Sequence, residues 1–343
     1  MRLLFIVMIF WVMNAHSNPS AHKCNVDKQN TSTYSFPDFI FSNQSENSGK
    51  EFRLITWNVN LMSSWLIGRL FLYYVDNQDM NDILIRTQSI ANRLRDEKYD
   101  IIALQEVGDH TSKAILDHTL NSAGYFSSEI LGEVQDHLGD SKYIFNGGVT
   151  LYSQYPFITL KYHPFSRAAG LQYFMPKGVV YGKIYFHGRI VHLFSLHLQS
   201  IENNSKEEYD VLKRHQHELR EFIDSIAIDR EDHVFLLGDF NVDAQNYSLK
   251  EEAGSEFKEM LNVLKAREVA PFSNCQPDIS FNPSKNPMAK GKSPTGTLDN
   301  ILCVNSTACP YRGSKRIIRF EDTTTRLKEL SDHYPIEATI FIP

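Results

Sequence analysis

Apolar positions along the chain follow two rhythms. Short runs of apolar residues predict buried strands at Arg53 to Val59 (R-L-I-T-W-N-V), Asp100 to Leu104 (D-I-I-A-L), Gly147 to Ser153, Val179 to Phe186, Arg189 to His197, His233 to Leu237, Leu298 to Val304 and Ile336 to Ile342. Other segments carry a helical period. Met80 to Glu97 repeats it through Ile83, Leu84, Ile90, Ala91 and Leu94, Lys113 to Asn121 is shorter, and Tyr209 to Ile226 is strongly amphipathic. No repeat or low-complexity linker interrupts residues 52–343. The pattern therefore reads as one domain of stacked sheets with outer helices. Asn274 to Thr297, with its prolines and lysines, reads as a long surface loop.

The first residues follow neither rhythm. Arg2 precedes an apolar run from Leu3 to Met13, and Ala15-His16-Ser17 offers small residues at −3 and −1. That is the layout of a secretory signal, residues 1–17, with cleavage after Ser17 and a second option after Ala21. The run is shorter than a membrane span requires. Residues 18–50 are rich in Ser, Asn, Lys and Gln and read as an extended N-terminal segment, leaving 51–343 as the globular part.

Composition adds limits. The chain of 343 residues is 42% hydrophobic and 22% charged, an ordinary globular balance. Its formal net charge of −6 becomes −7 without Arg2. A tight nonspecific nucleic-acid complex wants a basic face, so none is expected. Cys24, Cys275, Cys303 and Cys309 allow three disulfide pairings, and without a C-x-x-C they do not read as a zinc site. Sequons at Asn30, Asn43, Asn203, Asn246 and Asn305 offer glycan acceptors in an exported eukaryotic chain.

Chemistry-bearing residues recur where apolar strands end. Asn58, Glu106, His197, Asp239 and Asn241 follow such runs, Asp299 opens D-N-I-L, and Asp332 and His333 precede P-I-E-A-T-I. Each alone is an ordinary turn former or cap. Together they are acids, amides and imidazoles with no serine or cysteine nucleophile, a set suited to hard cations and activated water.

In order, the motifs are T-W-N-V-N at 56–60, L-Q-E at 104–106, S-L-H-L-Q at 195–199, G-D-F-N at 238–241, T-L-D-N-I at 297–301 and S-D-H-Y-P at 331–335. With this series the sequence resembles the endonuclease/exonuclease/phosphatase superfamily over about residues 52 to 343. The resemblance implies an α+β fold, a four-layer α/β/β/α sandwich with two central mixed sheets flanked by helices, like deoxyribonuclease I. It implies a Mg²⁺ site, or one for another divalent ion such as Mn²⁺ or Co²⁺, held by Glu106 with help from Asn58. His333 is the expected general base, oriented by Asp299. Asp239 positions water, Asn241 holds a phosphate oxygen, His197 donates to phosphate or aids the leaving group, and Asp332 binds or orients a second ion.

Within that superfamily, F-N-G-G-V-T-L-Y-S-Q-Y-P-F at 145–157 and P-K-G-V-V-Y-G-K-I at 176–184 resemble the neutral and bacterial sphingomyelinase branch. This implies a secreted, monomeric phosphodiesterase that cleaves sphingomyelin to ceramide and phosphocholine at a membrane surface. Lys177 is then either a phosphate contact or a solvated loop lysine. Gln172 stands where that branch commonly has an Asp, which puts an Asp–Lys contact in question. Residues 61–75 (L-M-S-S-W-L-I-G-R-L-F-L-Y-Y-V) read as an interfacial segment or as a buried helix. A secreted nuclease and a non-catalytic binding protein are the alternatives on the same fold.

Overall fold

The computed structural model describes residues 49–62, 80–132, 145–244, 255–272, 279–292, 295–304, 307–310, 312–325 and 327–343. The chain divides into residues 1–45 and 46–343, and all described elements lie in the second unit. The leader, Cys24, Cys275 and all of 61–75 beyond Met62 lie outside the described residues.

In chain order the elements are β1 (Lys50–Asn58), α1 (Met80–Glu97), β2 (Ile101–Gln105), α2 (His110–Asn121), β3 (Phe126–Ser127), β4 (Thr150–Ser153), β5 (Thr159–Pro164), a 3-10 turn (Gly170–Phe174), β6 (Gly178–Phe186), β7 (Arg189–His197), α3 (Lys206–Ser225), β8 (His233–Asp239), α4 (Ser255–Leu264), β9 (Ala266–Glu268), β10 (Asp299–Val304), β11 (Gly313–Ile317) and β12 (Ile336–Ile342). One six-stranded sheet has the order β11-β12-β1-β2-β4-β3, and the other β5-β6-β7-β8-β10-β9. Both are mixed: β1 runs parallel to β2 and antiparallel to β12, and β7 runs parallel to β8.

Alternation along each strand sorts side chains into layers. From β1, Phe52 and Leu54 enter the core between the sheets with Leu193, Phe235, Ile301 and Ile340. Ile55 and Trp57 point the other way and pack with Ile83, Ile90 and Leu94 of α1 and Leu116 of α2. Leu212 and Leu219 of α3 and Phe257 and Met260 of α4 cover the second sheet through Phe194, Leu196 and Leu236. These are the four layers that the resemblance implies. Both faces of the central strands are covered, so they read as continuous apolar runs. The helices start where capping chemistry permits. Asp109 accepts the Ser112 N–H at 2.8 Å ahead of α2, and Ser205 and Glu208 form a reciprocal capping box on α3.

The inter-sheet face changes character along the strands. In β1 it runs Phe52, Leu54, Thr56, Asn58; in β7, Val191, Leu193, Ser195, His197; in β8, Phe235, Leu237, Asp239. Apolar core thus gives way to polar groups at the carboxyl ends. Thr56 donates to Gln105 Oε1 at 3.3 Å, Gln105 Nε2 to Ser195 Oγ at 3.5 Å, and Ser195 to the Thr150 carbonyl at 3.1 Å. This band is the floor of the site. Elsewhere, Cys303 at the end of β10 is disulfide-bonded to Cys309, and Cys24 and Cys275 lie outside the described residues.

Candidate active site

Sheet register aligns three of the chemical residues. His197 on β7 pairs with Asp239 on β8, and Asp239 pairs with Asp299 on β10. The three lie side by side across adjacent strands. From the other sheet, the Asn58 amide donates to Glu106 Oε1 at 2.8 Å and to Asp239 Oδ2 at 3.1 Å. His333 arrives from the loop before β12, with Nδ1 2.8 Å from Asp299 Oδ2 and Nε2 3.9 Å from Asp239 Oδ2. Asp239 is the hub, with His197 Nε2 3.5 Å from the same oxygen.

Special backbone holds this edge open. Asn60, Glu106 and Asn241 have φ of 46°, 61° and 52°, in the left-handed region that non-glycine residues avoid. The Leu61 N–H bonds the Glu106 carbonyl at 2.9 Å and the Val107 N–H bonds that of Gly148 at 2.9 Å, so the kink at Glu106 is held from both sides. Gly148 itself has φ of 67°, and a Cβ there would lie 2.7 Å from the Glu106 Cα.

Burial and crowding set the protonation states. Burial, with Asp299 beside it, pushes the Asp239 carboxyl up to about 7. Burial alone would push His333 down, but Asp299, Asp239 and Asp332 outweigh it and hold the imidazole up at about 10. His197 is held well below the usual histidine value by burial and then by the Lys177 ammonium.

One atom each from Asp239, Asp299 and His333 lie within 4.8 Å of one another, the spacing of a candidate divalent-metal site. The fit has a second support. Asp299 Oδ1 is buried with no hydrogen-bond partner among the described residues, an orphan a cation would satisfy. Glu106, the expected principal ligand, is reached from this trio through the Asn58 amide. Asn58 turns its nitrogen to the carboxylates, while its Oδ1 accepts the Asn60 N–H at 3.2 Å.

The other expected residues fall around this centre. Lys177 is buried, with Nζ 2.8 Å from His197 Nε2, so the solvated-loop reading is overturned. The Asn241 backbone N–H bonds Asp239 Oδ1 at 3.0 Å, and its side-chain amide donates to the Leu198 carbonyl at 3.0 Å. Asp332 accepts from Lys292 Nζ at 2.9 Å. Gln172 is buried; it donates to Glu202 Oε1 at 2.7 Å and bonds Ser200.

Supporting residues went unread in the sequence. Ser331 Oγ donates to the Asn58 carbonyl at 2.7 Å, and Trp57 Nε1 to that of His333 at 2.9 Å, tying the first strand to the last motif. Ser280 Oγ accepts the Asp299 N–H at 3.2 Å. Arg86 donates to the carbonyls of Val59, Asn60 and Leu330 at 3.2, 2.7 and 2.7 Å. Thr56, Gln105, Ser195 and Ser331 stand inside the quoted motifs; Arg86 and Ser280 stand in none, and give no local signal.

Residues 55–333 match the Endonuclease/Exonuclease/phosphatase family. The chain belongs to that family. Among its relatives, a sphingomyelinase C of Bacillus cereus is 25% identical over 319 residues, covering 86% of this chain and 90% of the relative. A phospholipase C of Staphylococcus aureus is 23% identical over 317 residues, covering 86% and 89%. Among solved structures, a Staphylococcus aureus beta toxin with bound magnesium ions superimposes with a TM-score of 0.70 at 22% identity, covering 86% of this chain and 100% of that one. Sphingomyelinase C from Streptomyces griseocarneus gives 0.68 at 22% identity, with 84% and 99% covered. The likeness to the solved structures shows the fold. No helix among the described residues is long and apolar enough to cross a membrane.

Proposed function

We propose that this chain is a secreted, divalent-cation-dependent phosphodiesterase that hydrolyses sphingomyelin to ceramide and phosphocholine. The observation that carries the reading is the buried Lys177 ammonium against His197, at the end of the row that continues through Asp239 and Asp299. It places a cation where an anionic phosphodiester would meet the carboxylate cluster. Relatives named sphingomyelinase C support the substrate class. The apolar run at Leu3 to Met13 and the Cys303–Cys309 disulfide support export.

Asp239 and Asp299 would hold the cation, with Glu106 as a further ligand from across Asn58, His333 Nε2 left unligated, and Mg²⁺ the natural choice for so oxygen-rich a set. An ion held there would supply Lewis-acid charge to a phosphate oxygen and offset charge in the transition state. The chain's own groups do the rest. Asp299 accepts the His333 Nδ1–H and so leaves Nε2 as the basic nitrogen. The charge of a bound cation would drive the imidazolium proton off, and Nε2 would then take a proton from the water that attacks phosphorus. The bond from phosphorus to the ceramide oxygen breaks, and that oxygen takes a proton from the Lys177–His197 side. His197 stays neutral, accepts from the Lys177 ammonium and fixes its direction. The second Asn241 amide hydrogen is left for a phosphate oxygen without adding negative charge.

The test offers purified mature protein sphingomyelin vesicles, phosphatidylcholine vesicles and plasmid DNA, each with Mg²⁺ and with chelator. Phosphocholine release from sphingomyelin alone, abolished by chelator, is the expected result. Cleavage of DNA without cleavage of sphingomyelin would overturn the reading in favour of a nuclease. Silence on all three would favour a binding protein.

A further inference from the structure

Asp332 adjoins His333 and is buried, and one of its two oxygens is already engaged. Oδ2 accepts from Lys292 Nζ at 2.9 Å. Oδ1 lies 3.2 Å from Ser331 Oγ, whose own hydrogen goes to the Asn58 carbonyl at 2.7 Å. A carboxylate bound in this way differs from the orphaned Asp299 Oδ1, which has no partner among the described residues.

The segment that delivers Lys292 is built for the purpose. Residues 279–292 contain none of the motifs that mark the site. Asn286 is fully buried, and its amide donates to the Ser331 carbonyl at 2.9 Å, one residue from Asp332. Its Oδ1 accepts the Met288 N–H at 2.9 Å, the Ala289 N–H bonds its carbonyl at 3.1 Å, and the Lys292 N–H bonds the Ala289 carbonyl at 3.0 Å. Asn282 Oδ1 meets the backbone N–H groups of Ser284 and Lys285 at 3.2 Å each. Turn after turn, the loop is tied to itself and to the motif that carries Asp332. The ammonium is placed by this scaffold.

We propose that Lys292 is a tethered cation that takes the place of a second divalent ion at Asp332, so that the site holds a single exchangeable ion. The proposal rests on the reading of the Asp239–Asp299 cluster beside His333 as the cation site. An ammonium is a compact point charge with three donors, and it meets a carboxylate much as an ion's hydration shell does. A divalent ion on the same oxygen must first displace it, and two cations sharing one carboxylate repel strongly where water is scarce. Asp332 then serves to hold Lys292 at the rim of the site. The half-exposed ammonium gives an anionic phosphodiester a fixed positive neighbour that chelators cannot strip.

The test counts ions directly. Dialysed full-length protein is titrated with Mn²⁺, and free Mn²⁺ is read by electron paramagnetic resonance. The wild type binds one tight ion. Lys292→Met and Lys292→Gln each gain a second, and adding Asp332→Asn to either removes it again. Thermal melts identify any variant that fails to fold. Two tight ions in the wild type overturn the proposal, as does a single ion in both folded Lys292 variants or a second ion that survives Asp332→Asn. A wild-type count of two overturns the proposal even if the variants fail to fold. No tight Mn²⁺ in the wild type would instead bring down the cation-site reading, and the proposal with it.

Discussion

The Lys177 ammonium lies 2.8 Å from the Nε2 of His197, and both groups are buried at the end of the in-register row His197–Asp239–Asp299. Burial lowers the lysine below its ordinary value, opposed by Glu106, Asp239 and Glu202. Such a charge is costly for stability and useful for chemistry. Lys177→Met should lower kcat by roughly 100-fold, the scale for loss of one preorganised donor, while leaving the melting temperature unchanged or higher. Lys177→Arg should recover little, because a planar fork does not fit a point-charge position. Full activity in Lys177→Met would remove Lys177 from the mechanism.

Cation binding should release protons. Without an ion, Asp239 titrates near 7 and His333 near 10, so around neutrality both hold protons that a cation must displace. The sign follows: affinity for Mg²⁺ should rise from pH 6 to pH 8. Calorimetry in two buffers of different ionisation enthalpy reads the proton count. An affinity flat across that range would contradict the crowding of charge around Asp239.

Glu106 carries its carboxylate on a left-handed backbone, φ 61°. Glycine relieves that conformation and alanine does not. Glu106→Gly and Glu106→Ala should both be inactive, but the glycine variant should be more stable by about 1 kcal/mol in urea unfolding. Equal stabilities would mean that the kink carries no strain.

His215 on α3 reports on acid stability. Its Nε2 lies 2.8 Å from the Ser166 carbonyl, its Nδ1 is buried without a partner among the described residues, and burial pushes it down to about 4. The folded state keeps His215 neutral where the unfolded state takes up a proton. Its contribution is therefore full above pH 6.5 and is lost as pH falls from there toward 4, up to about 3 kcal/mol. His215→Gln should flatten the fall in unfolding free energy between pH 7 and pH 5. A wild-type slope retained in the variant would place the acid sensitivity elsewhere, with His192 and His233, both also lowered by burial, as the next candidates.

The elements legible in the sequence were those with their own signal. Met80–Glu97, Arg189–His197 and Ile336–Ile342 form as the pattern predicts, because central strands and amphipathic helices write their burial into local order. β5, T-L-K-Y-H-P, is a partly exposed edge strand, and β11, G-S-K-R-I, mixes polar residues into its run. Each is held by pairing with the next strand in the chain, β6 and β12, rather than by an apolar run of its own. Lys315 of β11 shows how far this goes: it is fully buried, and its ammonium meets Asn300 Oδ1 at 2.7 Å. The site divides in the same way. Acids and imidazoles at the ends of apolar runs stand out. Arg86 and Lys292 do not, because their partners Leu330 and Asp332 lie 244 and 40 residues away.

The pairing of β1 with β12 sets the order of events during synthesis. Lys50 lies opposite Ile342, and the Asn58 carbonyl is held by Ser331 across 273 residues of sequence. A nascent chain can translate all of β1 to β10 and still lack both His333 and the strand that flanks Asn58. Asn58 and Asp299 are therefore made well before their partners Ser331 and His333, and both contacts wait for the last segment of the chain.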